Sequence, residues 1–111
     1  MHIWFAVPAG NIEVVKQYLD AGADVNAIGG LFEWTLLHEA ANVSHKEIVE
    51  LLIAEGADVN ANVNTRDVDG ETPLDVAIHP QNSFNTVSKE IADLLRKHGG
   101  KTGAELKAEG K

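Results

Sequence analysis

The sequence predicts an all-α solenoid, in which helix-turn-helix units stack side by side and short β-hairpin loops join them. Three observations lead to it. The string Gly-Ala-Asp-Val-Asn stands at residues 22–26 and again at 56–60, 34 residues apart, and a fixed period in that range marks a chain of like units. Ahead of each copy, apolar residues recur three and four apart, Val14, Val15, Tyr18 and Leu19, then Ile48, Val49, Leu51, Leu52 and Ile53, each set forming one stripe of an amphipathic helix. Two threonine-led turns open a further helix in the same phase, Thr35-Leu36-Leu37-His38-Glu39-Ala40-Ala41 and Thr72-Pro73-Leu74-Asp75.

The bulk composition agrees with one soluble globular domain. With 111 residues, 44% apolar and 23% charged, the chain can bury a single continuous core. No apolar run approaches the roughly 18 residues that cross a bilayer, so no membrane association is expected. Met1-His2-Ile3-Trp4 lacks the basic and apolar regions of a secretory leader, and the expected compartment is the cytoplasm. There is no cysteine, which removes disulfides, thiolate metal sites and thiol nucleophiles. Net charge is −8, unevenly spread: residues 1–95 hold 15 acids against 4 bases, while 96–111 hold 2 acids against 5 bases. An acidic body repels phosphate backbones, so nucleic acid is not an expected partner.

Taken in order, residues 3–27 form a first unit that begins directly on Ile3-Trp4-Phe5-Ala6-Val7, as a terminal capping unit would. Gly10-Asn11 separates its two helices, with Asn11 the expected cap of the second, which stops at Gly22. In the second unit, residues 28–61, Ala40 and Ala41 offer a small face for a neighbouring helix. Ser44-His45-Lys46-Glu47 fits the capping box that opens the second helix, and Gly56 ends it. The third unit spans 62–100, with Asp69-Gly70 as a tight turn and Pro73 in a first helical turn. Residues 101–111 are expected as a separate basic tail that either frays or makes one more helical turn, with Thr102 and Glu105 in capping-box spacing.

Thr35-Leu36-Leu37-His38-Glu39-Ala40-Ala41, Thr72-Pro73-Leu74-Asp75 and the paired Gly-Ala-Asp-Val-Asn endings resemble the ankyrin repeat, with its Thr-Pro-Leu-His turn and two antiparallel helices. The resemblance covers residues 3–100. Counting between landmarks locates two insertions in the third unit: Thr35 to Thr72 is 37 residues and Glu47 to Glu90 is 43, against a family period of about 33. One insertion lies near Asn62-Val63-Asn64-Thr65, the other within 79–88. The resemblance implies that His38 is a structural clamp bonded to Thr35. Asp75 and Trp4 hold that place in the other units, so the clamp is not expected to repeat. It also implies that Asn26 and Asn60 close their units.

Nothing in the sequence supports an enzyme. His38-Glu39-Ala40-Ala41-Asn42 falls one residue short of the helical zinc motif His-Glu-x-x-His, because Asn42 removes the second imidazole. The five histidines are scattered without ligand spacing, Asp67-Val68-Asp69-Gly70 is too short for a calcium loop, and no phosphate loop or nucleophile elbow is present. No metal and no cofactor are expected.

The expected function is non-catalytic binding of a partner protein through a concave face of hairpins and first helices. Gly29-Gly30-Leu31-Phe32-Glu33-Trp34 would place Leu31, Phe32 and Trp34 at a hairpin tip as anchors, since interface hot spots favour aromatic residues. The resemblance adds Asn42, Val43, Val68, Glu71 and His79 as peripheral contacts. Two alternatives stand beside it. The same apolar residues would serve as a lid over Trp4 and Phe5, or would pair with their copy on a second chain in a homodimer.

Overall fold

The computed structural model describes residues 3–29, 34–61, 70–79 and 86–110. Among the described residues, seven helices and one short hairpin follow in order: α1 (Ile3–Ala9), α2 (Ile12–Asp20), β1 (Ile28–Gly29), β2 (Trp34–Thr35), α3 (Leu36–Asn42), α4 (Lys46–Ala54), α5 (Pro73–Ala77), α6 (Thr86–Lys97) and α7 (Gly103–Ala108). The strands pair antiparallel, Ile28 opposite Thr35 and Gly29 opposite Trp34. Helices α1, α3 and α5 pack in one row and α2, α4 and α6 in a second, and tight turns join α1 to α2 and α3 to α4. This is the stacked helix-turn-helix solenoid expected from the period.

The helices begin where side chains can cap them. Asn11 Oδ1 accepts a hydrogen bond from the Val14 amide at 3.2 Å. Thr35, Thr72 and Thr102 open α3, α5 and α7 with the same reciprocal box, in which the hydroxyl accepts from the amide three residues on and that residue's side chain returns to the threonine amide. Each such cap contributes about 1 kcal/mol. The second helix of each unit ends on a glycine, Gly22, Gly56 and Gly99, with φ of +98°, +96° and +87°, the left-handed geometry that glycine adopts without steric cost.

The turn between α3 and α4 departs from the expected capping box. His45, not Ser44, caps α4, and it makes no side-chain cap bond. Ser44 has φ +60°, in the place where the first unit has Gly10 at +74°. The turn demands a left-handed residue there, and the serine side chain is consequently directed away from the helix start. Its hydroxyl instead meets that of the buried Ser88 at 2.7 Å, tying the second unit to the third. The second insertion is partly visible in the same region. Helix α6 begins at Thr86, three residues ahead of Lys89, which is the counterpart of Lys46 at the start of α4, so part of the added length becomes extra helix. The first insertion, near 62–65, lies outside the described residues.

The core is one cluster running the length of the stack. Ala6, Val7, Leu36, Leu37, Ala40, Ala41, Ile48, Val49, Leu52, Leu74, Ile91 and Leu95 are all buried. Ala40 and Ala41 are fully enclosed, which lets α3 lie close to its neighbours on both sides. Residues 101–110 differ from the expected separate tail. They form α7, capped by Thr102 and Glu105 as their spacing predicts, and Leu106 is buried. Arg96 pairs with Glu105 and Lys101 with Glu109, so bases that would have marked a basic tail hold the helix instead. A Cβ on Gly103 would run into the Gly70 carbonyl oxygen, a close approach that only glycine permits. The stack therefore contains three helix pairs and the first helix of a fourth unit.

The repeated Gly-Ala-Asp-Val-Asn string fastens each unit to the next. Asp24 and Asp58 accept hydrogen bonds from the amides of Asn26 and Asn60, both at 2.9 Å. Asn26 Oδ1 in turn accepts from the Asp58 amide at 2.8 Å, and its amide group donates to the Gly56 carbonyl. Asn60 repeats the pattern one unit on, accepting from Lys101 N at 2.7 Å and donating to Gly99 O at 3.0 Å. Asn60→Ala is expected to lower stability by about 1 kcal/mol, since two partly solvated backbone groups lose their partner. Asn60→Asp keeps the acceptor oxygen and is expected to cost less. Urea unfolding of the two variants beside the wild type measures both.

Candidate partner-binding surface

The hairpin and the first helices carry the residues singled out from the sequence. Leu31, Phe32 and Val68 lie outside the described residues. Trp34 does not fit the expectation of an exposed anchor: it is 8% exposed. Its indole Nε1 donates to Glu71 Oε1 at 2.8 Å, and its ring lies nearly parallel to that of His38, with centroids 6.2 Å apart. Glu71, expected as a peripheral contact, is likewise buried. A buried indole nitrogen needs an acceptor, and the next unit supplies it, so these two residues join neighbouring units.

The lid reading fails for the same residue, because Trp34 is engaged toward the third unit. Trp4 is instead met by the backbone of Gly29 in β1, where a Cβ would crowd the indole ring. Phe5 is 70% exposed. Of the remaining expected residues, Asn42 and Val43 are half-buried at the end of α3, and His79 is exposed just beyond α5. Sequence reasoning missed Ile28, which is 61% exposed on β1. The period-2 pattern could have flagged it, since its strand neighbour Gly29 turns toward Trp4 and Ile28 must turn the other way.

His38 is a clamp, as its position implies. The ring is fully buried. Nε2 lies 2.8 Å from the Glu71 carbonyl oxygen, which can only accept, so Nε2 carries the proton. Nδ1 is then the acceptor, 2.7 Å from Thr35 Oγ1 and 3.4 Å from the Thr35 amide. Burial disfavours the charged ring and lowers its pKa from 6.5 to about 4, against the smaller opposing pull of the Glu71 carbonyl and of Asp75 and Asp58. Glu39, on the same helix, has its carboxyl pKa raised by desolvation.

The expectation that the clamp would not repeat is corrected by Asp75. Its Oδ2 accepts from the Thr72 amide at 3.0 Å and from the Gly103 amide of the next unit at 2.8 Å. Thr72 Oγ1 donates to the Lys101 carbonyl at 2.6 Å. His38 reaches forward as a donor and Asp75 as an acceptor, so the same register position bridges units with opposite polarity. On the opposite side of the stack an open groove of about 460 Å³ runs across the starts of the second helices, lined by Gly10, Ser44, His45, Lys46, Glu50 and Glu90 among others. His45 Nε2 there donates to the Pro8 carbonyl at 3.0 Å, and Lys46 pairs with Glu90. Among the described residues, no group of three or more His, Asp or Glu side chains is placed to hold a metal ion, and no helix is long and apolar enough to cross a membrane.

A family model for ankyrin repeats, in three copies, matches residues 3–107. An ankyrin repeat-containing protein of Schizosaccharomyces pombe is 32% identical over 87% of this chain and 44% of its own length. The 2-5A-dependent ribonuclease of Mus musculus is 39% identical over 65% of this chain and 9% of its own. An ankyrin repeat, SAM and basic leucine zipper domain-containing protein of Ovis aries is 36% identical over 84% of this chain and 18% of its own. The chain thus spans less than half the length of each of these relatives.

The inter-unit bonds make two measurable predictions. Trp34→Phe removes the donor to a buried carboxyl and is expected to cost about 1–3 kcal/mol, whereas Glu71→Gln, which keeps an acceptor oxygen, is expected to cost less; thermal melts of both variants check the order. His38 binds a proton more readily unfolded than folded. Below pH 6.5 proton binding therefore stabilises the unfolded state relative to the folded one, and stability falls as pH drops toward 4, by up to ~3 kcal/mol over the window. Glu39, with a raised carboxyl pKa, acts in the opposite sense, so the quantity to measure is the difference between wild type and His38→Gln. That difference is expected to shrink steadily from pH 7 to pH 4.

Proposed function

Because the chain belongs to the ankyrin-repeat family, whose repeats are generally protein–protein interaction modules, we propose that it binds a partner protein through its hairpin and first-helix face without catalysing a reaction on it. The observation that carries the choice of face is the exposure of Ile28. A β-branched apolar side chain, 61% exposed on a strand, contributes nothing to the core from that position. Asn42, Val43 and His79, at the ends of α3 and α5, add a polar, an apolar and an imidazole group outside the fully enclosed core. A mixed surface of this kind suits a protein ligand, in which an apolar centre is ringed by polar contacts.

Trp34 and Glu71 leave the contact set, since both are engaged between units. Their effect on binding is indirect: they hold β2 and the third-unit turn in register, and with them the surface on either side. The homodimer that would have used Trp34 as a tip anchor loses that anchor as well. The acidic charge of residues 1–95 favours a basic or mixed partner surface and a salt-dependent association rate.

A photo-crosslinking residue placed at Val43 or at His79 is expected to capture the same protein from cell extract. One placed at Glu55, exposed at the end of α4, is expected not to capture it. Equal capture from Glu55 would assign binding to the second-helix side and remove the proposed face. For a captured partner, Ile28→Glu is expected to weaken binding tenfold or more while leaving the melting temperature within a few degrees, because the side chain is outside the core.

A further inference from the structure

Helix α3 has neighbours on three sides. Helices α1 and α5 pack against it in its own row, and α4 and α6 of the second row lie behind it. Five of its seven residues are buried. The two that are not, Glu39 and Asn42, stand with the C-cap Val43 at spacings of three and four, which brings their side chains together on one stripe of the helix.

The carboxyl on this stripe is out of keeping with its place. In the other first helices the matching position, one residue after Trp4, Asp75 and Glu105, is held by Phe5, Val76 and Leu106, so an apolar residue would serve the fold there. Glu39 also lacks a partner: among the described residues, no hydrogen bond or ion pair reaches its carboxyl. The neighbouring carboxyls are treated differently. Glu71 accepts from the Trp34 indole, and Asp75 from the Thr72 and Gly103 amides. Helices α1, α3 and α5 contain no Lys or Arg, while Lys16, Lys46 and Lys89 stand on α2, α4 and α6. Half burial meanwhile strips water from the Glu39 carboxyl and raises its pKa, so the ionised form is held at a cost that a cation in contact with it would offset.

We propose that Glu39 receives a lysine or arginine side chain of a partner protein, with the charged head on its carboxylate and on the amide oxygen of Asn42, and the aliphatic stem along Val43. Basic side chains lay their stems on apolar surface while the head keeps a polar contact, and this stripe offers both within one helical turn. The charge of the chain agrees. Residues 1–95 hold 15 acids against 4 bases, so a basic segment is drawn toward the face. The assignment rests on the hairpin and first-helix face being the binding surface, and it names the chemistry of the ligand there.

A library of random peptides, selected on the folded wild type, is the probe. The peptides recovered are expected to share a Lys or Arg whose replacement by Gln raises the dissociation constant tenfold or more. Glu39→Gln is expected to raise it as much, with a melting temperature no lower than that of the wild type, and the two changes together are expected to add little to either alone, as a direct contact requires. Glu50→Gln, which removes an exposed acid of α4, is expected to leave binding unchanged. Peptides that bind Glu39→Gln as tightly as the wild type overturn the proposal. If those peptides still lose affinity for Ile28→Glu, the face stands and only its charged contact is wrong; if they are indifferent to Ile28→Glu as well, the face falls with it. A selection that recovers no binder overturns both. Should Glu39→Gln fail to fold, the carbon-13 shift of the Glu39 carboxyl in the wild type decides, since a peptide that binds without moving it makes no contact there.

Discussion

A helix pair as small as α3 and α4 cannot bury its own apolar stripes, so every unit depends on the register it holds with its neighbour. Hydrogen bonds that leave one unit and end in the next fix that register. At the exit loops, Asn26 reaches Asp58 and Gly56, and Asn60 reaches Lys101 and Gly99. At the helix entrances, His38 reaches the Glu71 carbonyl and Asp75 the Gly103 amide. The second and third units thus send a pin forward from a helix entrance as well as being held at the exit loops. Apolar packing supplies the larger driving force but is non-directional. Two polar pins at a distance prevent adjacent units from sliding or rotating over each other, and the curvature of any recognition face follows from them.

The pins at the helix entrances are desolvated, unlike the exposed asparagine bonds of the exit loops. Thr72 is wholly enclosed, and His38 is buried with both ring nitrogens engaged. Among the described residues, no buried side-chain nitrogen or oxygen is left without a partner. An unmet donor at such a depth costs more than a met one contributes, so a unit shifted out of register would be penalised most at the helix entrances. The inversion at the third unit follows the same logic. A histidine donates into a carbonyl and an aspartate accepts from an amide, and each is matched to the backbone group that the next unit presents. Gly103 permits the second arrangement, because its bare backbone approaches Gly70 and delivers its amide to Asp75.

The period, the fold class and most helix ends were legible in the sequence because they rest on local chemistry: threonine and asparagine caps, glycines at left-handed positions and stripes of apolar residues. Asn11, Thr102 with Glu105, and Gly56 sit in the structure as that chemistry requires. Ser44 shows where local reading stops. Its spacing to Glu47 is that of a capping box, but the geometry of the turn, seen at Gly10 in the first unit, takes precedence and sends its hydroxyl to Ser88. Trp34 shows the same limit for the site. An exposed tryptophan and one satisfied by a carboxyl 37 residues away are identical in sequence, because the distinction lies in a long-range pairing. Phe5 and Ile28 were missed for the converse reason, since apolar residues in a helix and a strand suggest burial, and only long-range packing decides which of them the core covers.

The half unit formed by α7 follows from the same accounting. Three pins point forward out of the third unit and its predecessor: the Thr72 hydroxyl toward Lys101, the Asp75 carboxyl toward Gly103 and the Asn60 amide toward Gly99 and Lys101. Without residues 99–103 the buried Thr72 hydroxyl and the Asp75 carboxyl would lose the partners they have in the next unit. Helix α5, only five residues long, has little cooperative strength of its own, so it depends on being enclosed on both sides. Leu106 and the Arg96–Glu105 pair hold α7 in place, and α7 in turn supplies the acceptors and donors that the third unit requires. Helix α7 is thereby a capped helix bearing charged residues, while α1 carries an exposed phenylalanine and no charge. That asymmetry makes α1 and α7 chemically unlike, although the same register position stands in both helices.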